Sequence, residues 1–296
     1  MILRCVAARS GPLRSFLRGE LALSSTLVKG GKAAGIFRVN GVPALLNWPV
    51  APGDVVEAVL TEPPASLPPE PGPLEILYED EALLAVDKPP GLWVHPTAAR
   101  QEGTLANRVA AYYAGRGLAC GIHVATRLDR DTFGVVLLAK HGHVHSRLGA
   151  LQAAGRLEKT YLAAVLGAPP AEAGVVALPI ARRGGGSLLR EVSPAGQAAE
   201  TAYRLLAQSG GVSLLALTPR TGRTHQLRVH CAALGCPILG DRDYGGAAAG
   251  ALGLAGQQLC AWRLRLPHPL TGERLEIRSR QGPQFPDWAK FLPETS

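Results

Sequence analysis

The sequence predicts the α+β class: a large domain on a mixed, largely antiparallel sheet with flanking helices, preceded by a small α+β module. Short apolar runs occur in pairs joined by turn residues, which indicates hairpins, and helical patterns interrupt these runs. A stretch with six prolines, residues 61–73, separates residues 1–60 from residues 74–296. Such a stretch favours extended polyproline geometry, so we expect it to act as a semi-rigid linker.

The small module, residues 1–60, combines two short helices with a sheet. Leucine and phenylalanine at helical spacing predict helices over 12–23 and 24–34. The dipeptide Asn40-Gly41 between alternating residues predicts a hairpin. The remaining helical faces carry cations: Arg14, Arg18, Lys29 and Lys32.

Local signals predict the elements of residues 74–296. Short runs of valine, leucine and alanine indicate strands, and glycine after an apolar periodic segment indicates the end of a helix. The predicted strands cover 83–86, 135–140, 159–166, 201–207 and 212–217, and the predicted helices begin at Thr104 or cover 143–155 and 224–234. The last two strands form a hairpin, which is typical of an antiparallel sheet.

Composition restricts the class of protein. The chain has 296 residues, of which 47% are hydrophobic and 18% charged, as in an ordinary globular enzyme. A net charge of +8 favours an anionic partner such as nucleic acid, although a basic protein without such a partner stays possible. The five cysteines show no pairing pattern and no zinc-ligand spacing, and no signal peptide or membrane span is seen. We therefore expect a cytoplasmic protein without a metal.

One carboxylate is placed as a catalytic group would be. Asp129 lies between Arg127 and Arg130, ahead of a turn that leads into the apolar run at 135–140. A carboxylate at such a boundary can be held rigidly and kept ionised, as a nucleophile must be. The alternative is a surface carboxylate paired with one of the two arginines.

Residues 127–134 resemble the signature of the RluA-like pseudouridine synthases, whose usual form is His-Arg-Leu-Asp-x-x-Thr-Ser-Gly with a catalytic Asp. The resemblance implies an RNA-modifying enzyme that detaches uracil from ribose and reattaches it through carbon. Asp129 would attack the anomeric carbon of the sugar or take a proton from the neighbouring carbon, and the sequence leaves both routes open. Two positions depart from the pattern, Thr126 for His and Phe133 for Ser.

Residues 217–230 resemble a second family motif, Thr-Gly-Arg-Thr-His-Gln-Ile-Arg-Val-His. The resemblance implies that Arg223 pairs with the carboxylate of Asp129. His225 and Arg228 are predicted to contact RNA, with Arg228 and His230 on a basic helix that meets phosphates. The alternative is an ordinary helix capped by a threonine of the motif.

Tyr161 lies in a Lys-x-Tyr strand similar to that of the family. The resemblance implies that this ring stacks on the target base, as expected for an extruded nucleotide. A half-buried strand tyrosine is the alternative. Residues 87–96 and 240–245 resemble two further family loops, Lys-Pro-x-Gly-x-x-x-His and Gly-Asp-x-x-Tyr-Gly, for which we expect mainly structural roles.

Together these resemblances predict a pseudouridine synthase for ribosomal or transfer RNA that needs no cofactor and acts as a monomer. Arg127 and Arg130 are predicted to contact the RNA beside Asp129. Residues 1–60 resemble the RNA-binding module named after a small-subunit ribosomal protein, which implies an RNA-binding role for its helical cations. The chief alternative is a non-catalytic RNA-binding or ribosome-assembly factor on the same fold.

Overall fold

The computed structural model of the protein describes residues 1–31, 36–97, 100–246, 254, 256–283 and 285. Residues 1–60 contain β1 (Ile2–Val6), β2 (Gly11–Pro12), α1 (Leu13–Arg18), α2 (Ser25–Gly31), β3 (Phe37–Val39), β4 (Val42–Pro43), β5 (Pro49–Val50) and β6 (Val55–Val59). Four of these strands form one antiparallel sheet in the order β1-β6-β3-β4. The two predicted helices and the hairpin at Asn40-Gly41 are confirmed.

The small unit has a hydrophobic core of its own. Phe16 and Leu17 of α1 are fully buried together with Phe37 and Val56 of the sheet. Helix α1 is shorter than predicted, because Ala22 adopts a left-handed φ of 50° that a helix cannot include. The last part of the predicted second helix, which includes Lys32, falls outside the described residues.

The larger part of the chain is built on one ten-stranded sheet. Its first elements are β7 (Glu75–Glu79), β8 (Leu83–Lys88), α3 (Leu105–Gly115), β9 (His123–Val124), β10 (Phe133–Ala139), α4 (Gly142–Ala153) and β11 (Glu158–Leu166). The later elements are β12 (Ala173–Val176), β13 (Ile180–Arg182), β14 (Arg190–Val192), β15 (Thr201–Ser209), β16 (Val212–Pro219), α5 (Gln226–Ala233), β17 (Leu259–Pro267) and β18 (Arg274–Arg278).

The order of this sheet is β12-β15-β16-β11-β17-β10-β8-β7, with β18 beside β17 and β9 beside β10. Among the described strands β10 and β17 run parallel, and the other pairs are antiparallel. The predicted α+β class with a largely antiparallel sheet is confirmed. Helix α3 packs on one face of β8 and β10, and α4 packs on the other, so both faces of the centre are covered.

Strand β10 lies at the centre of the sheet, and all seven of its residues are buried, as its apolar run predicted. Gly134 is required near its start. It has a φ of 104°, and a β-carbon there would collide with the carbonyl group of Ala261 on β17. The chain therefore enters the core immediately after the loop that carries Asp129.

The proline-rich segment is not a free spacer, which corrects the expectation from its composition. Its backbone N–H groups at Ala65 and Glu70 donate to the carbonyl oxygens of Cys120 and Asn107, at 3.3 and 3.1 Å. The amide of Asn107 donates in turn to the carbonyl oxygen of Pro68 at 3.0 Å. Prolines leave carbonyl oxygens free to accept such bonds, so an extended segment can lie along a helix. The domain boundaries at residues 60 and 74 stay a prediction.

Glu62 fixes the start of this segment to the large sheet unit. One carboxylate oxygen lies 2.7 Å from Nε2 of His123, and the other accepts from the backbone N–H of Gly142, the first residue of α4, at 3.0 Å. Nε2 of His141 lies 3.4 Å from the same second oxygen. Burial opposes ionisation of Glu62, but these bonds and histidine charges lower the pKa of its carboxyl group overall. The carboxylate thus also caps the N-terminus of α4.

Candidate active site

Asp129 lies in the loop between β9 and β10, and Lys88 of β8 holds that loop in place. The Nζ atom of Lys88 donates to the carbonyl oxygen of Arg130 at 2.7 Å. It also donates to the carbonyl oxygens of Pro89 and Leu92, at 3.0 and 2.8 Å. One ammonium group therefore ties the turn after β8 to the residue that follows Asp129.

Lys88 is fully buried, which is rare for a lysine. Burial lowers the pKa of Lys88 to about 7, while the charges of Asp131 and Asp129 act in the opposite direction. The three carbonyl acceptors match the three N–H donors of the ammonium form. The charged lysine is therefore the form that satisfies all three hydrogen bonds.

Both departures from the family signature have structural partners. Thr126 is buried, and its hydroxyl oxygen accepts a hydrogen bond from the backbone N–H of Leu137 in β10, at 2.8 Å. Phe133 is buried in a cluster with Leu162 and Trp262. Thr126 is thus bonded to the sheet before Asp129 in the chain, and Phe133 is packed into its core after Asp129.

The arginine beside Asp129 is Arg228, and the predicted pairing with Arg223 is wrong. Nη1 of Arg228 lies 3.5 Å from Oδ2 of Asp129. Arg223 is exposed, its Nε donates to the carbonyl oxygen of Ala198, and no ion pair joins it to Asp129 in the described part of the chain. The reason is the position of α5: its buried face begins at Gln226, so the side chain of Arg228 turns inward.

Two further carboxylates hold Arg228. Asp241 accepts from Nε and Nη2 in a bidentate pair, with both distances 2.8 Å, and Asp243 accepts from Nη2 at 2.6 Å. Burial acts to lower the pKa of Arg228, but its bonds to Asp241 and Asp243 and the charge of Asp129 raise it overall. The planar guanidinium is thus locked in one orientation, with Nη1 directed to Asp129.

His225 is the second cationic candidate beside Asp129. Its Nε2 atom lies 3.9 Å from Oδ2 of Asp129, and its Nδ1 lies 2.8 Å from the hydroxyl oxygen of Tyr244. Burial lowers the pKa of His225, although the charge of Asp129 acts to raise it. The ring of Tyr244 lies between the two basic groups, in edge contact with His225 and 4.8 Å from the guanidinium carbon of Arg228.

Tyr161 lies on β11 at the point where the register against β17 shifts, between Thr160 and Leu162. Burial, followed by the charge of Asp129, raises the pKa of Tyr161 above the ordinary value of a phenol. The hydroxyl group therefore stays protonated near neutral pH and can donate a hydrogen bond. The predicted stacking of this ring on a base stays a prediction.

The remaining predicted RNA contacts fall into an exposed and a buried group. Arg127 and Arg130 are exposed next to Asp129, and Arg130 pairs with Asp131 and lies 6.0 Å from the ring centre of Trp93. The cations of the small unit are also exposed: Arg14, Arg18 and Lys29.

Arg228 and His230 form the buried group. They do not lie on an exposed basic helix face that could contact phosphates, as was predicted. Arg228 is held by carboxylates, and His230 is buried between the hydroxyl of Thr201 and the carbonyl oxygen of Leu178, at 2.9 and 3.0 Å. The reason is again that residues 226–231 of α5 face the core.

Lys88, Asp241 and Tyr244 belong to the site although the sequence indicated mainly structural roles for them. The signal was present, since all three occur in the two weaker family motifs at 87–96 and 240–245. Nothing in those short strings indicates that their side chains converge on the loop of Asp129. Within the described residues no group of three or more histidine, cysteine or acidic side chains could hold a metal ion, and no helix is long and apolar enough to span a bilayer.

The fold and this carboxylate site define an enzyme class. Residues 82–233 match the family described as RNA pseudouridylate synthase, about half of the chain, and the chain belongs to this family of RNA-modifying isomerases. It is similar to the Bacillus subtilis proteins named uncharacterized RNA pseudouridine synthase YjbO and YhcT. These are 36% and 38% identical over 264 residues, which is 88% of this chain and 92% and 86% of the relatives.

A third relative carries a more specific name. Ribosomal large subunit pseudouridine synthase D of Pseudomonas aeruginosa is 36% identical over 217 residues, 70% of this chain and 68% of that protein. The solved structure of human RNA pseudouridylate synthase domain containing 4 has 29% identity and a TM-score of 0.57, over 71% of this chain and 89% of that chain. The predicted enzyme class is therefore confirmed.

Proposed function

We propose that the protein converts uridine to pseudouridine in ribosomal or transfer RNA, with Asp129 as the catalytic carboxylate. The observation that carries the proposal is the position of Asp129, whose side chain is 31% exposed and lies 3.5 Å from a buried arginine. A guanidinium at that distance attracts the carboxylate and fixes its orientation. The name of the Pseudomonas aeruginosa relative favours ribosomal RNA as the substrate.

The chemistry requires a carboxylate next to the glycosidic bond of an extruded uridine. The oxygen of Asp129 either attacks the anomeric carbon or removes a proton from the neighbouring carbon of the ribose, and the site supports both routes. Tyr161 offers an aromatic ring for stacking and a protonated hydroxyl group. The detached uracil then rotates and its C5 bonds to the anomeric carbon, which releases the carboxylate of Asp129 or, in the second route, takes back the proton at the neighbouring carbon. C5 loses its proton and N1 gains one, so product and substrate are isomers.

The exposed arginines supply the contact with RNA in this proposal. Arg127 and Arg130 flank Asp129, and Arg14, Arg18 and Lys29 extend the positive surface onto the small unit. We propose that they bind phosphates and contribute a salt-dependent part of the affinity. The protein acts as a monomer in the cytoplasm in this proposal, since one chain supplies Asp129, Tyr161, His225 and Arg228 and its five cysteines are unpaired.

The test is a map of pseudouridine in RNA from cells that lack the gene and are complemented with the wild-type protein, Asp129→Asn or Asp131→Asn. We expect one or more positions to lose pseudouridine in the deletion strain and to regain it with the wild-type protein. Asp129→Asn should not restore them but should still bind RNA, whereas Asp131→Asn, which removes the neighbouring carboxylate paired with Arg130, should restore them.

Two results would contradict the proposal. Restoration by Asp129→Asn would exclude Asp129 as the catalytic group. A deletion strain with an unchanged pseudouridine map would favour the non-catalytic RNA-binding or ribosome-assembly factor.

A further inference from the structure

His225 adopts a backbone conformation that its place in the helix does not explain. It directly precedes α5 with a φ of 57° and a ψ of 16°, in the left-handed region, and its side chain makes no capping hydrogen bond. Such a conformation is strained for a residue other than glycine. With this backbone the imidazole lies beside Asp129, with Nε2 3.9 Å from Oδ2.

Tyr244 holds that imidazole from the other side. Its hydroxyl oxygen accepts a hydrogen bond from the backbone N–H of Arg190, the first residue of β14, at 2.8 Å. Burial raises the pKa of Tyr244, so the hydroxyl group keeps its proton. Because the peptide N–H already occupies one lone pair of the oxygen, the hydroxyl proton is free to point at Nδ1 of His225, 2.8 Å away.

Electrostatics favours the same arrangement of protons. Burial keeps the imidazole of His225 neutral near neutral pH, so its ring carries a single proton. A lone pair on Nε2 would face the negative Oδ2 of Asp129 at 3.9 Å, whereas an N–H there is attracted to it. The tautomer with its proton on Nε2 therefore satisfies both neighbours.

The distance of 3.9 Å is too long for a hydrogen bond, so this N–H is not committed to Asp129. We propose that Nε2 of His225 donates a hydrogen bond to O2 of the target uracil, and that Tyr244 is the positioning residue that fixes the donating tautomer. This inference rests on the proposed function, because it needs a uridine whose glycosidic bond lies beside Asp129.

The proposed donor acts on the charge that develops as the glycosidic bond breaks. As Asp129 bonds to the anomeric carbon or takes the proton of the neighbouring carbon, the electron pair of the breaking C–N bond passes to the uracil ring and is shared among N1, O2 and O4. His225 keeps its proton, and its hydrogen bond strengthens as negative charge builds up on O2. The ribose 2′-hydroxyl needs no such donor, since it can itself donate to the carboxylate of Asp129.

The test uses a synthetic RNA fragment that contains the mapped uridine, with single-turnover rates measured at saturating enzyme for His225→Gln, His225→Leu and Tyr244→Phe. Glutamine places an amide N–H near the position of Nε2, and both replacements of His225 meet the same backbone strain. We expect His225→Leu to lose rate by about 10²-fold and His225→Gln by less than about tenfold. Tyr244→Phe should lie between them, with the enzyme concentration for half-maximal rate nearly unchanged in all three.

A second arm identifies the acceptor by replacing the target with 2-thiouridine, whose sulfur is the weaker acceptor. The wild-type rate should fall, and the rate of His225→Leu should fall by a clearly smaller factor. Equal factors would overturn the assignment of O2. Equal rates for the wild-type protein and His225→Leu, or equal losses for the Gln and Leu variants, would overturn the inference and leave the proposed function intact. A wild-type protein that forms no pseudouridine would overturn both.

Discussion

Asp129 and Arg228 face each other across the site, with Oδ2 and Nη1 separated by 3.5 Å, and the opposite edge of the guanidinium is bonded to Asp241. The position of Asp129 therefore depends on that of Asp241, because the buried Arg228 contacts both carboxylates. The orientation of Arg228 depends on the bidentate pair, which a lysine cannot form.

The first prediction concerns this relationship. Arg228→Lys keeps the positive charge but loses the planar fork, so Asp129 should shift and the single-turnover rate should fall by about 10²-fold. Arg223→Lys is the matched control, because that side chain is exposed and bonded to a backbone carbonyl. Its rate should stay within a few fold of the wild-type rate. A larger loss for Arg223→Lys than for Arg228→Lys would mean that Arg228 does not orient Asp129.

The second prediction concerns Lys88. Lys88→Met leaves three carbonyl oxygens without their donor and frees the loop of Asp129, so the free energy of unfolding should fall by roughly 2–4 kcal/mol and turnover should fall with it. Lys140→Met is the control, because this buried lysine pairs with Glu79, away from the loop. Urea denaturation and the rate per folded molecule measure the two effects. A Lys140→Met variant that loses as much rate per folded molecule would show that the effect is not specific to the loop.

The third prediction concerns Arg127, the exposed arginine next to Asp129. Arg127→Ala should weaken RNA binding and reduce the slope of log Kd against log salt concentration by about 0.7–0.9, the value of one phosphate contact. Arg274→Ala, at an exposed position on β18, should leave the slope unchanged. Filter binding over a range of potassium chloride concentrations provides both slopes. Unchanged slopes for both variants would exclude a phosphate contact at Arg127.

The fourth prediction concerns acid stability. His143 in α4 is buried, its Nε2 has no hydrogen-bond partner among the described residues, and burial lowers its pKa from 6.5 to about 4. The unfolded chain binds a proton at this position between pH 6.5 and 4 while the folded protein does not, so acid favours unfolding in that range. From pH 7 to pH 5 this one group should remove roughly 1–2 kcal/mol of stability.

Denaturation at both pH values checks this expectation. His143→Leu should lose less stability than the wild-type protein over the same interval, by about that amount. His145→Gln, on an exposed position of the same helix, should follow the wild-type protein. Equal pH dependence in all three proteins would show that His143 is not the responsible group.

The sequence predicted the strands and helices well where one element carries its own signal. Strand β10 is buried on both faces and is therefore continuously apolar. Thr104 is the N-cap of α3 and forms a capping box with Asn107. Strand β17 was not predicted, although it lies between β10 and β11 at the centre of the sheet. Its place depends on pairing with β10 and β11, which lie far away in the sequence, and a local pattern does not reveal such pairing.

The sequence identified several residues of the site, but it did not show how their side chains are arranged. Asp129 and Tyr161 follow from their motifs, but the string that contains Arg223 and Arg228 does not say which guanidinium turns inward. That choice depends on the rotation of α5 against the core, which buries Arg228 and leaves Arg223 outside the helix. The burial of Lys88 could not be predicted from the sequence either. It depends on three carbonyl oxygens that only the folded chain brings around the Nζ atom.

Glu62 bonds to His123 and to the first residue of α4. An insertion in the proline-rich segment would therefore not act as an insertion in a free linker would. The small unit is attached before that segment begins its course along α3, so extra residues after Glu62 would not extend the reach of Arg14 and Arg18. They would instead loosen the anchorage of α3 against the sheet. Natural variation in the length of this stretch should therefore alter thermal tolerance, while the attachment of the small unit to the large sheet stays constant.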